Sequence, residues 1–152
     1  EMMLSSEDAA IVLDQAENIV AVNEKWQSLC GYSAKEALHH STKILQGEMT
    51  NEEKARGFAQ ELRTLGEART TLANYTREGE PFAHKLHATR FTDHRTGDVF
   101  FFTEGVEVKD AAIRRAIFKR GNAHRPSENL TFELRLVGLL STVLGVAAGA
   151  AY

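Results

Sequence analysis

His39 and His40 stand side by side, His84 and His87 are three residues apart, and Cys30 is the only cysteine. Side chains of these types bind metals and attack electrophiles, so their spacing decides which chemistry is open. Adjacent histidines cannot share one face of a helix, and two histidines three apart on a strand point to opposite faces, so no metal site is expected. One cysteine supplies neither a disulfide framework nor a four-cysteine zinc site. No Ser–His–Asp order, paired-carboxylate site or phosphate-cradling glycine loop occurs, and no enzyme is expected. The net charge of −3 gives no case for nucleic acid. What remains is a polar set that begins in "HHSTKILQGEMTNEE" (39–53). Thr42, Lys43 and Gln46 fall close together there, and Asn74, His84 and Glu107 follow on segments that read as strands.

These residues must be positioned by the elements around them. "AAIVLDQAENIVAVN" holds two apolar runs, Ala10–Leu13 and Ile19–Val22, joined by a polar turn, which predicts a β-hairpin. "EKWQSLCGY" predicts a short helix with Trp26 and Leu29–Cys30 on one face, ended by Gly31. Cys30 on that amphipathic helix reads as a core residue. Two capping boxes, Ser33 with Glu36 and Thr50 with Glu53, predict further helix starts. The second helix carries Ala55, Phe58, Ala59 and Leu62 as an apolar stripe and stops at Gly66. Segments 68–76, 81–91 and 98–108 predict three long strands joined by short turns, an antiparallel meander. The order ββ, helices, βββ predicts an α+β fold with helices on one face of a five-stranded antiparallel sheet.

"IVAVNEKWQSLCGYSAKEAL", "ILQGEMT" and "NYTREGEPF" together resemble the PAS superfamily, and within it the flavin-binding light-oxygen-voltage (LOV) branch. The resemblance covers about residues 8 to 109; each motif is short, but their order and spacing are specific. It implies a PAS fold and a pocket for FMN. It carries over Gln46 of the L-Q-G segment and Asn74, a ring-reading residue on the first long strand. Elsewhere the chain departs from the pattern. Thr42 stands where the branch has its adduct-forming cysteine, with Ser41 for the asparagine before it and Lys43 for a phosphate-binding arginine after it. Ala59 replaces a second arginine, with Arg56 one turn away; His84 replaces a second ring-reading asparagine; Glu107 replaces the glutamine that reports the flavin's electronic state. A threonine hydroxyl without a neighbouring base is a poor nucleophile, so the thiol adduct of the branch is excluded if the alignment holds. An imidazole–carboxylate hydrogen bond between His84 and Glu107 is expected, because a buried charge needs a partner. Such a pair would fill space a flavin needs, so no cofactor is favoured, and FMN is the alternative.

The expected function is therefore a PAS/LOV-like sensory and protein-interaction module that dimerises. Its alternatives are a flavin-based blue-light or redox sensor working by photoreduction, and a membrane-tethered regulator. The domain is placed at 1–109 and a C-terminal helical extension at 110–152. Ile113, Ala116 and Ile117 share a helical face in the extension, and its basic side reads as solvated. From Leu136 to Tyr152 there is no charge, which at about 17 residues reaches the lower limit of a membrane span. Gly138, Thr142, Gly145 and Gly149 give that stretch a face of small residues. A dimer helix, a cover for the protein's own sheet and a membrane anchor all fit that pattern, and packing against protein is the expectation. The N-terminus does not read as a secretory leader and one cysteine makes no disulfide framework, so a cytoplasmic domain is expected, with membrane association through the tail as the alternative.

Overall fold

A computed structural model of the chain describes residues 6–122. The chain begins with the predicted hairpin, β1 (Ala9–Leu13) and β2 (Ile19–Val22). Helices α1 (Glu24–Cys30), α2 (Ala34–Ala37) and α3 (Glu52–Leu65) follow, with a 3₁₀ turn at Thr42–Leu45 before α3. Strands β3 (Glu67–Tyr75), β4 (Pro81–Thr92) and β5 (Val99–Glu107) complete the sheet, and α4 (Ala111–Asn122) leaves it. All strand pairs are antiparallel, in the order β2-β1-β5-β4-β3. The architecture is thus the expected α+β arrangement of a five-stranded antiparallel sheet with helices, and it is a PAS fold.

Local chemistry sets the helix ends. Asn23 caps α1: its Oδ1 accepts from Trp26 N at 2.8 Å and from Ala10 N at 2.9 Å, while Nδ2 donates to Asp8 O at 2.8 Å. One buried amide thereby ties α1 to the first strand. The Ser33–Glu36 capping box forms as expected. The second box does not. Asn51 caps α3 by accepting from Lys54 N, and the Thr50 hydroxyl is drawn elsewhere. It donates to Ala73 O at 2.6 Å and accepts from Gly47 N at 3.0 Å. Lys54 Nζ donates to Thr71 O. Two side chains from the α3 entry therefore engage carbonyls of β3, an edge strand, which blunts that edge against pairing with another chain. Helix α3 stops at Gly66, whose φ of 80° lies in the left-handed region that glycine reaches without a Cβ penalty.

The solid part of the core lies under α1 and α2, where Ile19, Trp26, Cys30 and Ala37 are buried against β1 and β2. Helix α3 lies mainly against β3, and its stripe packs differently from that core. Leu62 is buried, Ala55, Phe58 and Ala59 are only partly covered, and all four border a cavity. Helix α4 lies against β3 and β4. Asp110 caps it, with Oδ1 accepting from Ala112 N and Ile113 N. Among the described residues no helix is long and apolar enough to cross a membrane, and the uncharged stretch 136–152 lies outside them.

Candidate functional site

The cavity between α3, the 3₁₀ turn and the inner face of the sheet has a volume of about 470 Å³. Its walls are apolar, with Ile11 and Leu13 from β1, Phe58 and Leu62 from α3, and Leu72, Leu86 and Phe101 from the long strands. Ser41, Thr42, Lys43 and Gln46 enter from the turn, Asn74 from β3, His84 from β4 and Thr103 from β5. Ser41 starts the turn by accepting from Lys43 N at 3.0 Å, and Gln46 ends it by donating its backbone N–H to Lys43 O. That short turn is what brings residues 41–46 to the cavity. At the mouth, Arg63 of α3 forms an ion pair with Glu17 of the β1–β2 turn, and Arg56 and Glu52 also border the opening.

Five of the six residues singled out from the sequence border this one cavity: Thr42, Lys43, Gln46, Asn74 and His84. Glu107 does not. It sits opposite His84 in the β4–β5 register, yet it is the last residue of β5 and is exposed. The expected His84–Glu107 hydrogen bond is absent. His84 Nδ1 instead lies 3.0 Å from Asn74 Nδ2, and His84 Nε2 is buried without a hydrogen-bond partner. A carboxylate at a strand end keeps its hydration, and drawing it inside would forfeit that for one neutral partner. The imidazole takes a different direction. A Cβ built at Gly105 would fall 2.2 Å from His84 Nε2, so the ring rests in the space that Gly105 leaves open. Register explains the meeting. Gly105 pairs with Leu86, two residues along β4 from His84, and so lies diagonally across from the histidine. Phe82 covers the ring from its own strand, with centroids 5.0 Å apart.

This arrangement fixes the state of the histidine. Burial pushes its pKa from 6.5 down to about 4, so the ring is neutral at pH 7. With the Asn74 amide nitrogen facing Nδ1, Nδ1 accepts and the ring proton sits on Nε2. A buried N–H without a partner costs about 1–3 kcal/mol. His87 points away from the cavity and meets Glu67 Oε1 at 2.7 Å, as strand alternation requires. Cys30, the last residue of α1, is buried in the core and does not border the cavity. Burial raises its thiol from 9.0 to about 12, which leaves almost no thiolate.

Gly105 and Thr103 were not singled out in the sequence. The signal for Gly105 was present, since an isolated glycine inside an apolar strand marks a place where another group comes close. Thr103 follows from the inward alternation of Phe101, Thr103 and Gly105 along β5.

Comparison with known proteins agrees with this architecture. The family model described as PAS domain matches residues 7–110, and the chain belongs to that family of sensory domains found in signalling proteins. Among solved structures it is similar to the LOV domain of a blue-light activated histidine kinase from Erythrobacter litoralis. The TM-score is 0.62 at 23% identity, over 69% of this chain and 99% of that one. It is also similar to the dark structure of the blue-light photoreceptor Aureochrome1 LOV, with a TM-score of 0.63 at 19% identity, over 78% of this chain and 88% of that one. A PAS domain from Colwellia psychrerythraea aligns with a TM-score of 0.61 at 15% identity, over 70% of this chain and 90% of that one. At these identities the likeness is one of fold. No curated protein matches the chain.

Proposed function

We propose that this PAS domain is a sensory and protein-interaction module whose cavity holds a flavin-class ligand without a covalent bond. One observation carries the reading. The cavity stays open at about 470 Å³ although histidine replaces a smaller residue of the LOV pattern, because Gly105 receives the ring. The residues present suit such a ligand. Asn74, His84 and Gln46 offer polar groups to a ring edge, and Lys43 and Arg56 offer positive charge to a phosphate. A bound flavin would supply blue-light absorption and one-electron chemistry. The chain's own part is to orient the ring and keep water from it. Its single thiol, Cys30, lies outside the cavity with a pKa of about 12, and Thr42 offers only a hydroxyl, so no adduct forms.

Output follows from the strands. Asn74 and His84 sit on β3 and β4, the two strands against which α4 lies, and β5 leads through Lys109 to the Asp110 cap of that helix. Displacement of either polar group on ligand binding therefore bears on the seat of α4, and residues 110–152 form the output extension. Exposed Phe91, Val106 and Ile113 offer apolar contacts to a partner, with a second copy of the chain the first candidate.

The test is to purify the protein with added FMN or riboflavin, remove free flavin by desalting, and record the spectrum before and after blue light. Retained structured flavin absorption that light does not convert into a thiol adduct is the expected result. A colourless protein overturns the ligand assignment, and a light-formed adduct overturns the mechanism.

A further inference from the structure

We propose that α4 is a lipid-contact element: its outward side lies on an anionic bilayer surface and seats the PAS domain there. The inference is independent of what the cavity holds. From Ala111 to Asn122 the helix contains Arg114, Arg115, Lys119 and Arg120 and no acid. The chain as a whole carries a net charge of −3, so α4 is a basic element on an acidic protein. Asp110, the acid just before it, is held at the cap, where Oδ1 accepts from Ala112 N and Ile113 N.

Burial sorts the side chains around the helix. Ile117 and Phe118 are half-buried on an element that lies against β3 and β4, and the Arg114 guanidinium stands 5.8 Å from the centre of the Phe118 ring. Ala112, Arg115, Ala116 and Lys119 are exposed, and their spacing of three, four and seven puts them on one side of the helix. Among the described residues neither Arg115 nor Lys119 has an anionic partner. The alanines between them keep that side low, so both cations reach a flat surface together.

An acidic protein and an anionic membrane both answer to such a side, and the chain favours the membrane. A basic helix side suits a diffuse anionic surface. The sequence also supplies an apolar contribution, because Leu136 to Tyr152 carries no charge, and membrane affinity adds apolar and electrostatic parts. The acidic remainder of the chain is repelled by the same surface, which orients the domain with α4 toward the lipid.

The experiment sediments the full chain with vesicles of phosphatidylcholine alone and of phosphatidylcholine and phosphatidylserine in equal parts. Binding to the mixed vesicles is expected, roughly tenfold or more above the neutral ones and weakened by high salt. Each cation near an anionic surface contributes about fivefold, so Arg115→Gln with Lys119→Gln should cost roughly 25-fold. Ala116→Trp puts a reporter on the exposed side, and its emission should shift to the blue on mixed vesicles, while Trp26, 2% exposed, stays constant. Should the double variant fail to fold, the reporter decides. Equal binding to both vesicles, no binding to either, an unshifted reporter, or a folded double variant that binds like wild type overturns the proposal. Salt-sensitive binding to poly-glutamate without binding to vesicles overturns it in favour of an acidic protein.

Discussion

Lowering the pH should destabilise this domain through His84 by an amount that can be worked out in advance. An unfolded histidine titrates near 6.5, and in the folded protein burial holds the same ring down to about 4. Between those values the unfolded chain takes up a proton that the folded chain refuses, so stability falls as pH falls. The contribution is fully retained above pH 6.5, declines through the window and is exhausted below about 4. The separation corresponds to about 3 kcal/mol, with a limiting slope of about 1.4 kcal/mol per pH unit. The ring is 2% exposed, so solvent does little to screen the effect. That is a large share of the roughly 5–15 kcal/mol by which domains are stable.

Urea unfolding at intervals from pH 7.5 to pH 4, on wild type and His84→Asn without added flavin, isolates this term. Glu36, Glu67 and Asp93 are all held below their ordinary pKa by hydrogen bonds and nearby cations, and they add their own acid sensitivity. They are present in both proteins and cancel in the difference. The expected result is a wild-type curve that falls toward the variant's by about 3 kcal/mol across the window. Parallel curves from pH 6.5 to 4 would refute the reasoning, because they would mean that the imidazole is charged or solvated in the folded state.

Two further changes probe the frame around the site. Asn23→Ala removes the α1 cap and leaves Ala10 N–H without its partner, and a loss of about 2–3 kcal/mol in urea unfolding is expected. Thr50→Val keeps the side-chain shape but frees Ala73 O and Gly47 N; about 1–2 kcal/mol should be lost, with faster hydrogen exchange at the Gly47 amide.

The fold was legible from sequence because its elements announce themselves through independent signals. Strand alternation, the Ser33–Glu36 box and the Gly66 stop each act within a few residues, and the structure keeps them within a residue or two. The Thr50–Glu53 box failed for a tertiary reason. A hydroxyl that can cap a helix can equally well bond an edge-strand carbonyl, and the local pattern does not say whether Ala73 O will be in reach. Strand order was open too. A hairpin followed by a meander does not reveal that β5 returns to lie between β1 and β4.

The site was harder to read because a departure from the LOV pattern takes effect through the side chains it packs against, and the sequence does not say which those are. His84 for asparagine suggested a crowded pocket, and Glu107 suggested the partner that would crowd it. In the folded chain the two answers separate. Glu107 remains with solvent, and the added bulk of the imidazole is taken up by Gly105, a residue that bears no functional group. A substitution that enlarges one side chain alters a cavity only by the volume its surroundings cannot absorb. At this place a missing Cβ, diagonally across one strand pair, absorbs the ring and leaves its N–H bare. The same glycine that keeps the cavity open therefore lets an imidazole stand at the cavity's edge where the LOV pattern has the smaller asparagine.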